Sequence, residues 1–504
     1  MSVTPLVHEL TPAPDPARAC EALEALPHRV FLDSATPGSR LGRYSFLAAD
    51  PVAVVWSKRS RTVVTDVTGE DAVTVSDPID IVRQWLAPFA AEPVDGLPPF
   101  QGGVAGYIGY EFGRRLEPVP AARYDDLNVP DLVLGLYDWV IAWDHRSGQA
   151  WVISTGMPVT EEGARRQRAR ERLDVVLEVL AGPPDPPYVR GANPSVGRVR
   201  MDPAAPAEAP SYEVDEHRFA DAAGLRSSFP RMGYIDAVAT VREYIAAGDV
   251  FQANLSQRFE TPLVDDPWTL YARLRERNAA PFAAFLDFPE VTILSASPER
   301  FLRVAPDGWV ETRPIKGTRP RGLGPEHDFH LGRELSESTK DQAENLMIVD
   351  LMRNDLSRVC RPGSVRVSEL FALEHYATVH HLVSTVVGQL ASGQDALALL
   401  TAAFPGGSVT GAPKIRAREI IAELEPSERG IYCGAIGYLS TTGALDTSIA
   451  IRTAVAKDGR LTFSAGGGVT FHSDPAQEYR ETLDKAHGMI DSLATPDGSA
   501  TRQP

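Results

Sequence analysis

From Gly182 to Ser211 the chain runs GPPDPPYVRGANPSVGRVRMDPAAPAEAPS. This stretch is rich in Pro, Ala and Gly and has few large apolar side chains, so it cannot bury enough surface to hold a packed conformation. We expect residues 182–230 to form a poorly ordered linker or insertion, which leaves the packed structure to be built from 1–181 and 231–494. Runs such as RVFLDS, PVAVVW and DLVLGLYDWVIAW predict strands in the first region. EEGARRQRARERLDVVLEVLA predicts an amphipathic helix with a charged face. The glycines of FQGGVAGYIGYEF predict tight turns and close backbone approaches. The second region opens with a helix, a Gly-Asp stop and a strand (YIDAVATVREYIAAGDVFQANLSQRF), then alternates strands and helices without a clear break. The fold class is therefore mixed α/β, and residues 495–504 read as a frayed, disordered tail. With 504 residues and 43% apolar content, a large core is within reach.

Charge and cysteine content exclude several functions. A net charge of −17 disfavours nucleic acid as a partner, since backbone phosphates would be repelled. Three dispersed cysteines, Cys20, Cys360 and Cys433, make neither a disulfide framework nor a zinc site. Cys433, in IYCGAIGY, reads as a small buried residue inside a strand. The N-terminus lacks the basic-then-apolar pattern of a signal peptide, and no stretch is apolar enough to span a membrane. A cytoplasmic location is expected.

Against that acidic background, TRPIKGTRPRG (312–322) is conspicuously basic. It is either a solvated loop or an anion site built around Lys316. Asp341 and Glu344 lie three residues apart on one predicted helix, and Glu478 and Glu481 repeat that spacing on another, with Lys485 a turn later. Such pairs are either solvated helix faces or a carboxylate cluster that a hard divalent cation such as magnesium would relieve. The glycines of SAGGGV (464–469) either make a structural turn or expose backbone N–H groups to an anion. FPGGSVTGAPKIRAREIIAELEP has a glycine-rich loop with Ser408 and Thr410, then a helix entered near Pro413. Neither a phosphate-binding GxxxxGK[ST] loop nor a dinucleotide GxGxxG fingerprint is present. His380 and His381 sit in an apolar run, as core histidines do. Glu299, at a strand end in ILSASPERFL, is either paired with Arg300 or Arg303, or a general acid.

Taken together and in order, GDVFQANLSQRF, SPERF, TRPIKGTRPRG, AENLMIVDLMRNDLSRV, VHHLVSTV, FPGGSVTGAPKIRAREIIAELEP, CGAIGYLS, DTSIAIRT, SAGGGV and EYRETLDKA resemble the chorismate-utilising enzymes. The resemblance is dense over about 235–494. It extends thinly into the N-terminal region through FLDSA, GRYSFLAADP and GGVAGYIGYEF. It implies two antiparallel sheets in a sandwich flanked by helices, with the active site in a cleft. By resemblance Glu344 and Glu481 are Mg²⁺ ligands, supported by Asp341 and Glu478, and the metal holds the ring carboxylate of chorismate. Asp341 stands where relatives often carry Glu. Gly466, Gly467, Gly468, Tyr432 and Arg452 hold the enolpyruvyl carboxylate, helped by Lys485. Ser408 and His381 line the ring.

Two positions discriminate within the family. Members that add water at C2 carry a lysine base where this chain has Gln252, and a glutamine takes no proton at neutral pH. Members that aminate C2, like those that add water, resemble PIAGT or PLAGT around position 316. Those that aminate C4 resemble PIKGT. The lysine implies a covalent route in which Lys316 attacks C2, Glu299 protonates the departing C4 hydroxyl, and ammonia then displaces the lysine at C4. Arg313, Arg319 and Mg²⁺ are expected to lower the lysine's pKa. The product is 4-amino-4-deoxychorismate, a precursor of 4-aminobenzoate and folate, with amination at C2 to anthranilate as the alternative. The chain contains no glutamine amidotransferase domain, so a separate glutaminase subunit is expected to supply ammonia. Ser34, in FLDSA, and Phe282, in NAAPFAAF, are candidates for the family's tryptophan pocket or for core packing.

Overall fold

Strand positions in this chain alternate between two buried environments rather than between core and solvent. In Arg29–Asp33, Val30 packs into one core and Phe31 into another. In Ala53–Lys58, Val54 and Trp56 face one core and Val55 another. That is why these strands read as continuous apolar runs. The computed structural model describes residues 4–36, 38–66, 71–182, 209–214, 224–376 and 379–493.

Among the described residues there are two antiparallel sheets, of 13 and 12 strands. A middle core containing Phe46, Trp56, Phe100, Tyr107, Leu286 and Tyr438 lies between them. The first sheet's outer face packs on the helices Glu162–Leu180, Arg231–Ala247, Pro267–Arg277, Lys414–Leu424 and Pro475–Leu493. The second sheet's outer face packs on Pro78–Leu86, Thr339–Ser357 and Ala396–Ala403. The result is the helix-flanked sandwich expected from the family.

The two sequence regions are not separate layers. Arg29–Asp33 pairs with Phe282–Phe288, and Gly103–Ile108 pairs with Ala435–Ser440. Most of the 182–230 stretch lies outside the described residues, as does the 495–504 tail. Within that stretch, Tyr212–Glu213 and Arg226–Ser227 are short strands that continue the first sheet beyond Gln252–Pro262.

Three local expectations are corrected. DLVLGLYDWVIAW is not one strand. Leu132–Tyr137 belongs to the second sheet and Trp139–Asp144 to the first, and the chain crosses between them at Asp138. Asp138 is fully buried, and its carboxylate takes Arg172 at 3.2 Å and Arg168 at 3.3 Å from the helix Glu162–Leu180. The first glycine-rich stretch forms a strand, Gly103–Ile108, rather than a turn. The expected close approach is real there: at Gly106 (φ +149°) a Cβ would lie 2.1 Å from the carbonyl oxygen of Val133. Cys433 is not in a strand interior. It sits two residues before Ala435–Ser440 with φ 64°, and its burial is as expected.

Candidate active site

Where the first sheet ends, one of its strands parts from a neighbour. Thr453–Lys457 pairs with Arg460–Val469 only as far as Phe463, while Gln252–Pro262 follows the other edge out to Val469. The segment 464–469 therefore has one edge without a strand. The three glycines lie inside this strand rather than in a turn after it. Antiparallel backbone groups alternate in direction. The Gly466 carbonyl reaches outward to Lys485 Nζ at 2.6 Å, so Gly468 shares the open edge. No side chain fits at these positions. A Cβ on Gly466 would meet Leu255 O at 2.4 Å, and one on Gly468 would meet Gln252 Nε2 at 2.2 Å.

Two helices bring carboxylates to this edge. A Cβ on Gly467 would lie 3.1 Å from Glu478 Oε2 and 3.3 Å from Glu481 Oε1, so both oxygens converge there. They stand on Pro475–Leu493, whose first turn is capped by Asp474 accepting from Gln477 N at 2.9 Å. Glu344 comes from Thr339–Ser357, capped by Ser338, and its Oε1 is buried without a hydrogen-bond partner. Burial pushes the pKa values of Glu344 and Glu478 up. Burial also opposes ionisation of Glu481, but Lys485 at 2.8 Å and Lys340 outweigh it, and its pKa lies below the ordinary value.

Among the described residues no three or more His, Cys, Asp or Glu side chains form a ready metal cluster. Asp341 is turned to Arg319 at 3.2 Å and Glu481 to Lys485. The donor chemistry nonetheless fits a hard cation: a buried carboxylate oxygen on Glu344 that accepts no hydrogen bond and has only Lys340 at 3.9 Å, and two oxygens converging over Gly467 where a side chain would intrude.

The second sheet supplies the lysine. Lys316 lies on the strand Ile315–Pro320, not in a loop, and its Nζ donates to Ser408 O at 2.8 Å. Burial depresses its pKa. Glu344 and Glu299 oppose that shift, and Lys485 adds to it. The two arginines expected to lower it do not contribute. Arg313 is buried and committed to Glu369, Glu374 and Thr385, and Arg319 pairs with Glu334 and Asp341. Both arginines are neutralised locally.

Glu299 follows the strand Val291–Ser297 and is 4% exposed. It does not pair with Arg300, which binds Asp446 at 2.9 Å and Glu311 at 2.7 Å. Burial pushes Glu299 up to about 7, against the Ser408 hydroxyl and Lys316, which favour the carboxylate. Ser408 thus touches both the acid and, through its carbonyl, the lysine.

His381 and His380 lie on opposite faces of Val379–Gln389. His381 Nδ1 bonds Thr318 Oγ1 at 2.9 Å, and its Nε2 has no partner. Burial, then Arg452, push its pKa down to about 3, so it is a neutral imidazole. His380 is the satisfied one, between His375 at 2.7 Å and Asp328 at 2.9 Å. Arg452 adopts φ 49°, and burial alone lowers its pKa; among the described residues no carboxylate pairs with it. Gln252 is fully buried, with its Nε2 on Asn254 at 3.2 Å and its Oε1 unpartnered.

Tyr432 lies in the turn before Ala435–Ser440, with the Arg429 guanidinium 5.8 Å from its ring centre. Ser34 and Phe282 adjoin at the ends of paired strands. The Ser34 hydroxyl donates to Tyr44 O at 2.7 Å, and Arg300 lies 5.1 Å from the Phe282 ring centre, so both are engaged in packing.

Sequence reasoning missed a buried pair that ties the strand Gln252–Pro262 to the turn at 408–409. Glu425 accepts from Ser256 N and Oγ, both at 2.8 Å, and from Arg429 at 2.6 Å. Arg429 also donates to Val409 O at 3.0 Å and Asn254 O at 2.7 Å. The only signal was an acid and a base four residues apart around a helix-ending Pro426.

Three comparisons with known proteins bear on this geometry. The family model for chorismate binding enzymes matches residues 27–491. Aminodeoxychorismate synthase component 1 of Salmonella typhimurium is 40% identical over 98% of this chain and 99% of its own length. Anthranilate synthase component 1 of Pseudomonas aeruginosa is 39% identical over 94% of this chain and 92% of its own. The crystal structure of anthranilate synthase component I from Streptococcus pneumoniae superposes with a TM-score of 0.73 at 31% identity, covering 90% of this chain and 93% of that one.

Proposed function

This chain belongs to the chorismate binding enzymes, and from that premise we propose that it aminates chorismate at C4, with Lys316 as a covalent nucleophile. Overall identity does not choose between C4 and C2 amination, because relatives carrying either name match almost equally. The choice rests on one observation. A lysine with a depressed pKa stands against Ser408, which also binds the raised-pKa acid Glu299.

In this mechanism the Arg452 guanidinium and the open strand edge at Gly466 and Gly468 receive the enolpyruvyl carboxylate, with Tyr432 beside them. Glu344, Glu481 and Glu478 would hold Mg²⁺, which supplies positive charge for the ring carboxylate. Neutral Lys316 attacks C2 and forms the C–N bond. Both ring double bonds shift, through C1, C6 and C5, and the C4–O bond breaks as Glu299 donates its proton, releasing water. Ammonia then attacks C4, both double bonds return, and the C2–N bond breaks to free Lys316. Two displacements leave the amine on the face the hydroxyl occupied. Neutral His381 and Ser408 line the ring, and Gln252 offers no base to activate water at C2. A glutaminase subunit would provide the ammonia, and the product would feed 4-aminobenzoate and folate synthesis.

The test is to incubate the chain with chorismate, Mg²⁺ and ammonium chloride and identify the product by mass spectrometry and fluorescence, with Lys316→Ala in parallel. Aminodeoxychorismate from the native chain, lost in the variant, supports the proposal. Fluorescent anthranilate from the native chain overturns it.

A further inference from the structure

Between the turn 110–112 and the helix Lys414–Leu424, beside the Glu425–Arg429 pair, lies a cavity of about 20 Å³. It has room for one molecule the size of water. Tyr110, Glu111 and Ser427 line it, 8%, 6% and 6% exposed. Each has a buried oxygen with no hydrogen-bond partner: Tyr110 Oη, Glu111 Oε2 and Ser427 Oγ. Buried polar atoms are ordinarily satisfied, so three such atoms around one small cavity mark a place for a small hydrogen-bonding guest. The arginines around it are engaged elsewhere: Arg114 with Glu428, Arg418 with Glu117, and Arg429 with Glu425. An anion would therefore find no free cation here.

We propose that this cavity receives ammonia on its way to the substrate. The inference rests on the amination reading above. Ammonia carries three N–H donors, and its protonated form four, to set against the oxygens of Tyr110, Glu111 and Ser427. Arg429, which lines the cavity, also holds the turn at 408–409 that contacts the lysine. The Arg429 guanidinium lies 4.7 Å from the Tyr110 ring centre and donates to Val409 O, while the adjacent Ser408 O holds Lys316. Glu111 can trade its proton with the guest. Burial, then Glu428, push its pKa up from the ordinary carboxyl range. The carboxylic acid plus ammonia gives carboxylate plus ammonium, and the reverse transfer releases neutral, nucleophilic ammonia.

The experiment measures KM for ammonia and KM for chorismate in the full chain and in Glu111→Gln, Tyr110→Phe and Ser427→Ala. The glutamine keeps an acceptor for Arg429 N, which Glu111 Oε1 now holds at 2.9 Å. Loss of one hydrogen bond to the guest should raise KM for ammonia by up to about tenfold and leave KM for chorismate within about twofold. General damage to the fold would move both. If Glu111→Gln does not fold, the other two variants decide. An unchanged KM for ammonia, with aminated product still formed, overturns this inference alone, and the cavity then holds only structural water. No aminated product from the native chain overturns it together with the amination reading.

Discussion

In the proposed mechanism Lys316 and Glu299 have opposite requirements, and burial serves both. It lowers the lysine's pKa towards the neutral nucleophile and raises the glutamate's to about 7, towards the protonated acid. The active form therefore gains Lys316 deprotonation as pH rises and loses the Glu299 proton above about 7, giving a bell-shaped rate profile. Glu299→Gln should lower kcat by about 10²–10⁴-fold and abolish the alkaline limb, as seen in kcat measured against pH. Stability follows the same group. The folded pKa of about 7 exceeds the ordinary 4.5 of a glutamate. The stability Glu299 contributes is full below 4.5 and is lost as pH climbs through about 7, so chemical denaturation of Glu299→Gln should vary less with pH across that window. Lys316→Ala should cost about 10³-fold or more in C4 amination, read by product assay. The lysine stood out in its sequence context, but the source of its pKa shift did not. The neighbouring arginines are basic in the sequence, and only the fold reveals that Arg313 and Arg319 are already neutralised by Glu369, Glu374, Glu334 and Asp341.

At the level of elements, both carboxylate helices were legible because helical spacing puts residues three apart on one face. The glycine run was not, because strand and turn use the same residue for different reasons. Here the need is steric: the neighbouring strand and its side chains occupy the space where a Cβ would stand. Gly466→Ala should destabilise the protein by about 1–3 kcal/mol, measured by urea denaturation, since Leu255 O is backbone and cannot swing aside. Gly467→Ala meets carboxylate oxygens instead, at the far ends of side chains that can move. It should fold normally and need more Mg²⁺ for half-maximal rate, as a magnesium titration would reveal. Chelation of Mg²⁺ should stop turnover in the parent chain, and adding it back should restore the rate.

At the scale of the whole molecule, the sequence break at 182–230 suggested a boundary that the fold ignores. Composition reports where a segment cannot pack. It says nothing about which strands become neighbours, and here strands from either side of the break pair in both sheets. Residues 1–182 expressed alone should therefore show no cooperative unfolding transition by circular dichroism, and neither should 224–493. Co-expressed, the two should associate and elute together in size-exclusion chromatography. The interleaving also constrains synthesis. Ser34 Oγ bonds Pro281 O across 247 positions, and Gln101 N bonds Ser440 Oγ across 339. At about 5–20 residues per second on the ribosome, the early strands wait on the order of tens of seconds for their partners to be translated. One edge of each stays unpaired until then, even where the other has a local partner, so translation without chaperones should leave more of this chain in aggregates than refolding of the complete chain at the same dilution, as the soluble fraction would show.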